Sequence, residues 1–312
     1  MKAMLALPQS GYGHRMKIYL AEMCPLPKHL LASVLVYFSL SAFISRVHDV
    51  RMPVLSPYSL LGVWSLLAVT LLLRLMDELK DKDIDRELFR DRPLPSGRVS
   101  ESDIAFSILA VIVLYIAANI WTGPALWIAL LILGYSLLAF EHFFIPDLLR
   151  KNLLLTLATH NLLVPMVYLH LLALCSAQFG WGFEEINWRR ALLLIVMYWA
   201  ASFAWEIARK IRAPEEENAY VTYSQIFTPL GAVLVAAAAQ TAAFVIGLFF
   251  YQTLSLSSAY VAILTVGYGL TLAGYLRFLF KPSPATSGLK VFAEGFMLCV
   301  LMAYILEDVF FV

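Results

Sequence analysis

Nine apolar stretches, each long enough to cross a lipid bilayer, constrain this chain more than any other feature. A spanning helix needs about 20 mostly apolar residues. Only 14% of the 312 residues are charged and the mean hydropathy is +0.76, whereas about a quarter of the residues of a soluble domain are charged. We therefore expect an all-α, polytopic membrane protein with spans at 29–47, 57–79, 102–121, 124–144, 152–175, 190–212, 224–250, 257–279 and 289–311.

The loops between these stretches are too short to hold a soluble domain. We expect residues 1–312 to form a single membrane domain, with a cytoplasmic N-terminal segment at 1–28 and polar cytoplasmic loops at 80–101 and 209–223. The net charge of +1 gives no indication of a nucleic-acid partner. The three cysteines lack the spacing of a zinc site or a disulfide framework, which favours a role as small apolar fillers.

Basic residues collect on one side when the loops are assigned alternately to the two faces of a membrane. Because cytoplasmic loops are enriched in Lys and Arg, this asymmetry predicts a cytoplasmic N-terminus and a C-terminus on the opposite face, in a cell inner membrane or its equivalent. Of the 23 basic residues, the far side receives only Arg46, Arg51, Arg189 and Arg190.

A dense acidic segment follows the second stretch. Asp77, Asp81 and Asp85 are spaced by four residues, so on a helix they form one stripe, with Glu78 beside it. Carboxylates crowded on one face repel one another, which favours a hard cation such as Mg²⁺, and Mg²⁺ usually combines one or two carboxylates with substrate phosphates. The alternative is a solvated loop in which the acids pair with Lys80, Lys82, Arg86 and Arg90.

A rigid basic turn comes next, since Arg92 to Gly97 reads Arg-Pro-Leu-Pro-Ser-Gly. The two prolines fix the backbone, and Gly97 permits a tight reversal. Here the chain resembles the UbiA superfamily of intramembrane prenyltransferases, whose first motif reads Asn-Asp-x-x-Asp-x-x-x-Asp and precedes an Arg-Pro-Leu-x-Ser-Gly turn. In this sequence Asp77 stands for the usual Asn and Glu78 for the usual Asp.

The resemblance implies a bundle of nine helices around a central cavity that opens to the cytoplasmic side and to lipid. It also implies that the segment binds Mg²⁺ and a prenyl diphosphate, and that Arg92 contacts the diphosphate. The implied catalytic and metal-ligating residues of this segment are Asp77, Glu78, Asp81 and Asp85.

A second acidic motif of Asp-x-x-x-Asp type is implied at the cytoplasmic end of the sixth span. Glu206 falls where its first acid belongs, but Lys210 stands four residues later, with Arg209 before it. Either Glu206 is a further catalytic metal ligand, or Arg209, Lys210 or Arg212 binds the diphosphate directly. Otherwise these bases only mark the membrane interface, and Glu215 to Glu217 after Pro214 form a solvated run.

Further candidates for substrate binding come from looser signals. Tyr135 and the pair Arg150 and Lys151 resemble pocket-forming and phosphate-contacting positions of the same family. His160 and Asn161 lie inside a span. Polar side chains there are costly, and they face a cavity or make interhelical hydrogen bonds.

The resemblance implies an Mg²⁺-dependent enzyme that transfers an isoprenyl group from a prenyl diphosphate to an aromatic or other lipophilic acceptor. A membrane terpene cyclase of the same fold would share the first half of that mechanism and needs no acceptor. A transporter or a non-catalytic membrane protein is a third reading, but transporter charges lie near the midplane, whereas these cluster at one end of the spans.

Overall fold

The computed structural model describes residues 11–50, 55–217 and 221–311, apart from the side chain of residue 150. These ranges contain helices and no strand, in agreement with the all-α prediction. The α-helices in chain order are α1 Tyr12–Met23, α2 Leu26–His48, α3 Pro57–Lys80, α4 Lys82–Leu88, α5 Glu101–Asn119, α6 Pro124–Phe140, α7 Pro146–Lys151, α8 Leu153–Asn161, α9 Leu163–Gln178, α10 Trp188–Ala208, α11 Tyr223–Thr253, α12 Ser258–Phe280 and α13 Leu289–Phe310.

Eight spans in the described part of the chain are long and apolar enough to cross a membrane. Seven of them are single helices, namely α2, α3, α5 and α10 to α13, and the eighth combines α8 and α9 over Leu153–Gln178. They coincide with eight of the nine predicted spans. The prediction of a multi-pass membrane protein is therefore confirmed.

The predicted fourth span is shorter than expected. Helix α6 has 17 residues, which is about 26 Å of helix, and it ends at Phe140 instead of near residue 144. His142, Phe143 and Phe144 have φ angles of 50°, 51° and 59°, so they cannot continue a right-handed helix. Hydropathy alone extends this span too far, because aromatic residues continue the apolar run beyond the helix end. A count of nine full-length spans is not confirmed.

The chain divides into two compact units. Unit 1 comprises Met1–Tyr37 and Leu55–Lys151, and unit 2 comprises Phe38–Val54 and Asn152–Val312. The division falls within α2. Unit 1 therefore contains the acidic segment at 77–85 and the turn that follows it, and unit 2 contains Glu206 and its neighbours.

Capping residues determine where two helices of unit 1 begin. The Ser56 and Ser59 side chains bond reciprocally to each other's backbone N–H at the start of α3, and Ser100 and Asp103 do the same at the start of α5. Asp103 also accepts two hydrogen bonds from Arg15, at 2.8 and 2.6 Å. This pair attaches α1 to the first turn of α5.

Small residues let α12 and α13 of unit 2 pack closely. A Cβ atom at Gly267 would lie 2.7 Å from the Cys299 sulfur, and one at Gly274 would lie 2.6 Å from the Phe292 ring. Such close approach is a common way for membrane helices to gain packing energy. Pro229 interrupts the hydrogen bonding of α11 near its start, where the helix kinks.

A buried apolar core fixes the end of α10 that carries Glu206. Residues from the ends of α10, α11, α12 and α13 contribute to it, so four helices of unit 2 are held together there. The core includes Ile207, Ala208, Ile211, Ala213, Tyr223, Ala232, Tyr275, Phe278, Leu289 and Ala293.

Candidate functional site

The acidic segment runs across a bend between α3 and α4. Helix α3 ends at Lys80, Asp81 lies at the bend, and α4 begins at Lys82. The helical hydrogen-bond pattern nevertheless continues, since the Asp81 N–H donates to the Asp77 carbonyl and the Asp85 N–H donates to the Asp81 carbonyl, each at 2.9 Å. The three aspartates thus keep nearly helical spacing, although the uninterrupted stripe expected from the sequence is broken at Asp81.

Glu78 is the most buried carboxylate of the segment, with 1% of its side chain exposed. Arg74, one helical turn earlier, donates from Nη2 to Glu78 Oε2 at 2.9 Å. The second oxygen, Oε1, is buried and has no hydrogen-bond partner among the described residues. A buried carboxylate oxygen left unsatisfied is costly, so this atom is suited to accept a cation or a donor from a ligand.

Asp85 is also buried, and it pairs with the basic turn that follows the segment. Arg92 Nη1 donates to Asp85 Oδ2 at 2.7 Å, with side-chain exposures of 33% and 7% for the arginine and the aspartate. The Arg92 guanidinium lies 3.9 Å from the centroid of the Phe89 ring. The structure therefore brings two of the predicted residues, Asp85 and Arg92, into direct contact.

Asp77 and Asp81 are exposed to solvent. Although exposed, the Asp81 carboxyl has a raised pKa because the surrounding chain desolvates it, and Lys80 opposes that shift. Arg74 and Arg92 also favour its charged form. Asp81 thus interacts electrostatically with the arginines of both buried ion pairs, so these groups form one cluster of charges.

The bases expected in the solvated-loop alternative bond mainly elsewhere. Lys82 and Arg86 both donate to the Glu101 carboxylate at 2.7 Å. Lys80 donates to the Ala139 carbonyl on α6 at 2.9 Å. The positive charges that neutralise Glu78 and Asp85 therefore come from arginines outside that set of bases.

The donor set of the segment suits a hard divalent cation that a substrate helps to bind. Carboxylate oxygens are the ligands that Mg²⁺ prefers, and protein Mg²⁺ sites commonly use one or two of them together with phosphate and water. No three His, Cys, Asp or Glu side chains converge into a metal cage within the described ranges. The segment has the unsatisfied Oε1 of Glu78 beside exposed aspartates. This arrangement is compatible with an Mg²⁺ site that is completed by substrate phosphates.

The turn after the segment adopts the conformation predicted from its glycine. Gly97 has a φ of 75° and donates its N–H to the Leu94 carbonyl at 3.1 Å; glycine is favoured in this left-handed region. Arg98 forms an ion pair with Glu22 of α1 and donates to the Asp91 carbonyl at 2.5 Å. Its hydrogen bond holds the pKa of the Glu22 carboxyl below the usual value. Contacts to α1 and to its own backbone therefore fix the turn.

The other candidates of unit 1 lie further along the chain. Tyr135 is half-buried on α6, with its ring edge-to-face against Phe143 at a centroid distance of 5.3 Å. Lys151 is exposed at the end of α7. The side chain of Arg150 lies outside the described residues. The substrate-binding roles expected for these three stay predictions.

In unit 2, Glu206 is paired with the bases that follow it on the same helix. Arg209 donates to both of its carboxylate oxygens, at 2.6 and 2.8 Å, and Lys210 lies 3.6 Å from one of them. Arg209 also lies over the Trp205 ring at 5.4 Å, and Lys210 over the Tyr223 ring at 5.5 Å. A metal ligand role for Glu206 would require it to exchange these partners.

Acids after Pro214 accept hydrogen bonds from residues of their own loop and of the helix start that follows it. Glu216 accepts a hydrogen bond from the Ala213 N–H at 3.1 Å. Glu217 accepts from the hydroxyls of Thr222 and Ser224, at 2.8 and 2.6 Å. Two of the three acids in the run are therefore engaged in local structure.

The polar residues inside the fifth predicted span make intramembrane hydrogen bonds. The Trp199 indole N–H of α10 donates to the Asn161 side-chain oxygen of α8. His160 Nδ1 lies 2.9 Å from the Thr156 carbonyl on its own helix. Asn161 thus makes the interhelical bond that was one of the two expectations for this pair.

Arg74 is the residue of the cluster that sequence reasoning did not select. It precedes Glu78 by four residues on the same helix face, which is the spacing of an ion pair. That spacing is a usable sequence signal for the ion pair.

Comparisons with known proteins identify the fold. No protein-family model and no curated protein matches the chain. Two solved structures are similar to it. A structure of digeranylgeranylglyceryl phosphate synthase in membranes has a TM-score of 0.66 and 16% identity, over 95% of this chain and 99% of that one. An apo UbiA homologue from Aeropyrum pernix has a TM-score of 0.63 and 17% identity, over 91% and 98%. The resemblance to the UbiA superfamily inferred from the motifs is thus confirmed at the level of the fold.

Proposed function

We propose that this chain, which has the fold of UbiA-type membrane proteins, is an Mg²⁺-dependent intramembrane prenyltransferase. Its substrates would be a prenyl diphosphate and a lipophilic or aromatic acceptor, both reached from the membrane lipid. The observation that carries the proposal is the buried, unsatisfied Oε1 of Glu78. It lies within a motif that matches the first prenyl-diphosphate motif of the family, on a chain with the family's fold.

The carboxylates that would hold Mg²⁺ are Asp77, Glu78, Asp81 and Asp85. Bound Mg²⁺ would neutralise the charge that develops on the departing diphosphate. The chain itself supplies Arg92, whose guanidinium already contacts Asp85 and is one-third exposed. A positive charge held in place before the reaction stabilises a leaving anion without reorganisation.

An apolar environment would complete the chemistry. The eight membrane-spanning helices provide apolar surface for an isoprenoid tail, and exclusion of water would protect an allylic cation until the acceptor attacks it. Tyr135, Arg150, Lys151, His160 and Asn161 remain candidates for contacts to substrate.

The second motif would contribute at most one metal ligand. Glu206 is the candidate metal ligand of unit 2, and it would have to release Arg209 and Lys210 to act as one. The same release would make both bases available to an anion. Substitution of Glu206 tests whether metal binding by Glu206, or anion binding by the released Arg209 and Lys210, contributes to turnover.

Purified protein in detergent would be incubated with Mg²⁺, prenyl diphosphates of several chain lengths and a set of lipophilic acceptors. We expect diphosphate release that depends on Mg²⁺ and a prenylated acceptor detected by mass spectrometry. Asp81→Asn should abolish most of this turnover. Asp83→Asn is the matched control, because Asp83 has an 85% exposed side chain and lies just two residues away.

Two results would contradict the proposal. Absence of Mg²⁺-dependent turnover with every diphosphate and acceptor would favour a transporter or a non-catalytic protein. A cyclic hydrocarbon formed without any acceptor would instead indicate a terpene cyclase.

A further inference from the structure

We propose that Arg74 is a fixed cation of the diphosphate site, which supplies positive charge that would otherwise have to come from bound metal. This inference rests on the proposed function, and it concerns a residue that neither the motif nor the comparisons single out. Three properties of Arg74 support it: its bond to Glu78, its position on the helix face that carries Asp81, and its exposure.

The bond to Glu78 uses only one carboxylate oxygen. Arg74 contacts Oε2 at 2.9 Å, and Oε1 remains buried with no hydrogen-bond partner in the described part of the chain. Arginine can satisfy both oxygens of a carboxylate, as Arg209 does for Glu206. Glu78 is therefore held at one oxygen and left available to a ligand at the other.

Arg74 also lies on the helix face that carries Asp81. Asp81 follows Arg74 by seven residues, which is two helical turns, and the helical hydrogen bonding continues as far as the Asp81 N–H. Arg74 pairs with Glu78 and Arg92 pairs with Asp85, so both arginines contact carboxylates of the same acidic segment. An anion that approaches Asp81 through a bridging cation would experience both arginines.

The Arg74 side chain is 30% exposed, although the carboxylate that it contacts is almost fully buried. The Tyr19 hydroxyl donates to the Arg74 backbone carbonyl at 3.3 Å, so α1 contacts the main chain at this residue. A guanidinium has five N–H donors, and a partly exposed one retains donors for phosphate oxygens.

The two possible roles of Arg74, as a fixed cation or as a structural residue, predict different changes in ion affinity when Arg74 is replaced. Without the arginine charge, the carboxylates should bind a divalent cation more tightly, and an anion should bind more weakly. A side chain that merely shapes the site should weaken both. A unit charge a few ångströms away in a partly exposed site changes ion affinity by about tenfold.

The experiment measures two affinities on the full chain in detergent. Mn²⁺ binding is followed by electron paramagnetic resonance, and inorganic diphosphate binding is followed by calorimetry in the presence of a chelator. For Arg74→Gln we expect about tenfold tighter Mn²⁺ and about tenfold weaker diphosphate. Arg74→Lys keeps the charge and should stay near wild type in both, and Tyr19→Phe controls for contacts of α1 at this position.

The outcomes separate this inference from the proposed function. If the wild type binds Mn²⁺ and diphosphate but Arg74→Gln changes both in the same direction, or neither, Arg74 is not a fixed cation and the proposed function stands. If the wild type binds neither ion, the proposed function and the role of Arg74 are both overturned. Should Arg74→Gln fail to fold, a tenfold or larger loss of diphosphate affinity in Arg74→Lys, which keeps the charge, would refute the inference.

Discussion

Replacement of Arg92 by glutamine tests whether the basic turn and the acidic segment form one site. The substitution keeps a polar side chain but removes the charge that faces Asp85, whose side chain is 7% exposed. Two unit charges about 4 Å apart attract by about 4 kcal/mol at an effective dielectric constant of 20. The 33% exposure of Arg92 and the cost of desolvating Asp85 reduce the expected loss of stability to about 1–2 kcal/mol.

For a chain of 312 residues, such a loss lowers the midpoint of thermal unfolding by about 1.5–3 °C. Intrinsic fluorescence during heating of the detergent-solubilised protein measures the midpoint. Arg98→Gln is the matched control in the same turn, because its ion pair with Glu22 is exposed on both sides, at 39% and 42%. The control should lower the midpoint by less than Arg92→Gln does, because exposed ion pairs contribute little to stability.

Asp85→Asn and the double variant complete a thermodynamic cycle. If Asp85 and Arg92 interact as the structure indicates, the double variant should be more stable than the sum of the two single changes predicts. Equal shifts for Arg92→Gln and Arg98→Gln, together with additive effects in the cycle, would refute the reasoning.

Three further expectations concern the turn, the second motif and the topology. Gly97→Ala should destabilise the protein by about 1 kcal/mol because alanine disfavours the φ of 75° found there. The control, Gly134→Ala, lies in a helix with open space around the position and should not lower the unfolding midpoint. Equal shifts of the midpoint in the two variants would refute the role of φ. Glu206→Gln should leave the Mg²⁺ concentration for half-maximal turnover within about threefold of wild type, because Arg209 and Lys210 already neutralise this acid. A tenfold increase in that Mg²⁺ concentration would instead identify Glu206 as a metal ligand. Lys17→Cys, in a background without native cysteines, should react with a membrane-impermeant maleimide only from the cytoplasmic side, and labelling from outside would reverse the predicted orientation.

Hydropathy was sufficient to locate most of the membrane helices. A helix such as α12 satisfies its own backbone hydrogen bonds in lipid, so about 20 apolar residues in sequence are enough to indicate it. The same criterion placed the end of α6 too late in the sequence, because hydropathy measures only the free energy of transfer into lipid. The positive φ angles from His142 to Phe144 depend on backbone geometry that an apolar aromatic run does not reveal.

The acidic motif and its turn could be predicted because their spacing is local. Asp77, Asp81 and Asp85 keep nearly helical spacing, and Gly97 adopts the expected turn conformation. The choice of ion-pair partners could not be predicted. Arg74 and Lys82 both lie four residues from Glu78, and only the packed structure decides that Arg74 pairs with Glu78 whereas Lys82 pairs with Glu101.

The most direct measurement of the central claim is the Mg²⁺ dependence of binding of an unreactive prenyl thiodiphosphate to the wild type and to Glu78→Gln. Glutamine keeps the size of the side chain and can still accept a hydrogen bond from Arg74, so the variant should fold. We expect Mg²⁺ to tighten the binding to the wild type, and binding to Glu78→Gln in the presence of Mg²⁺ to be weaker by about tenfold or more because a metal ligand is lost. Equal, Mg²⁺-independent binding by both proteins would contradict the assignment of this segment as a metal and diphosphate site.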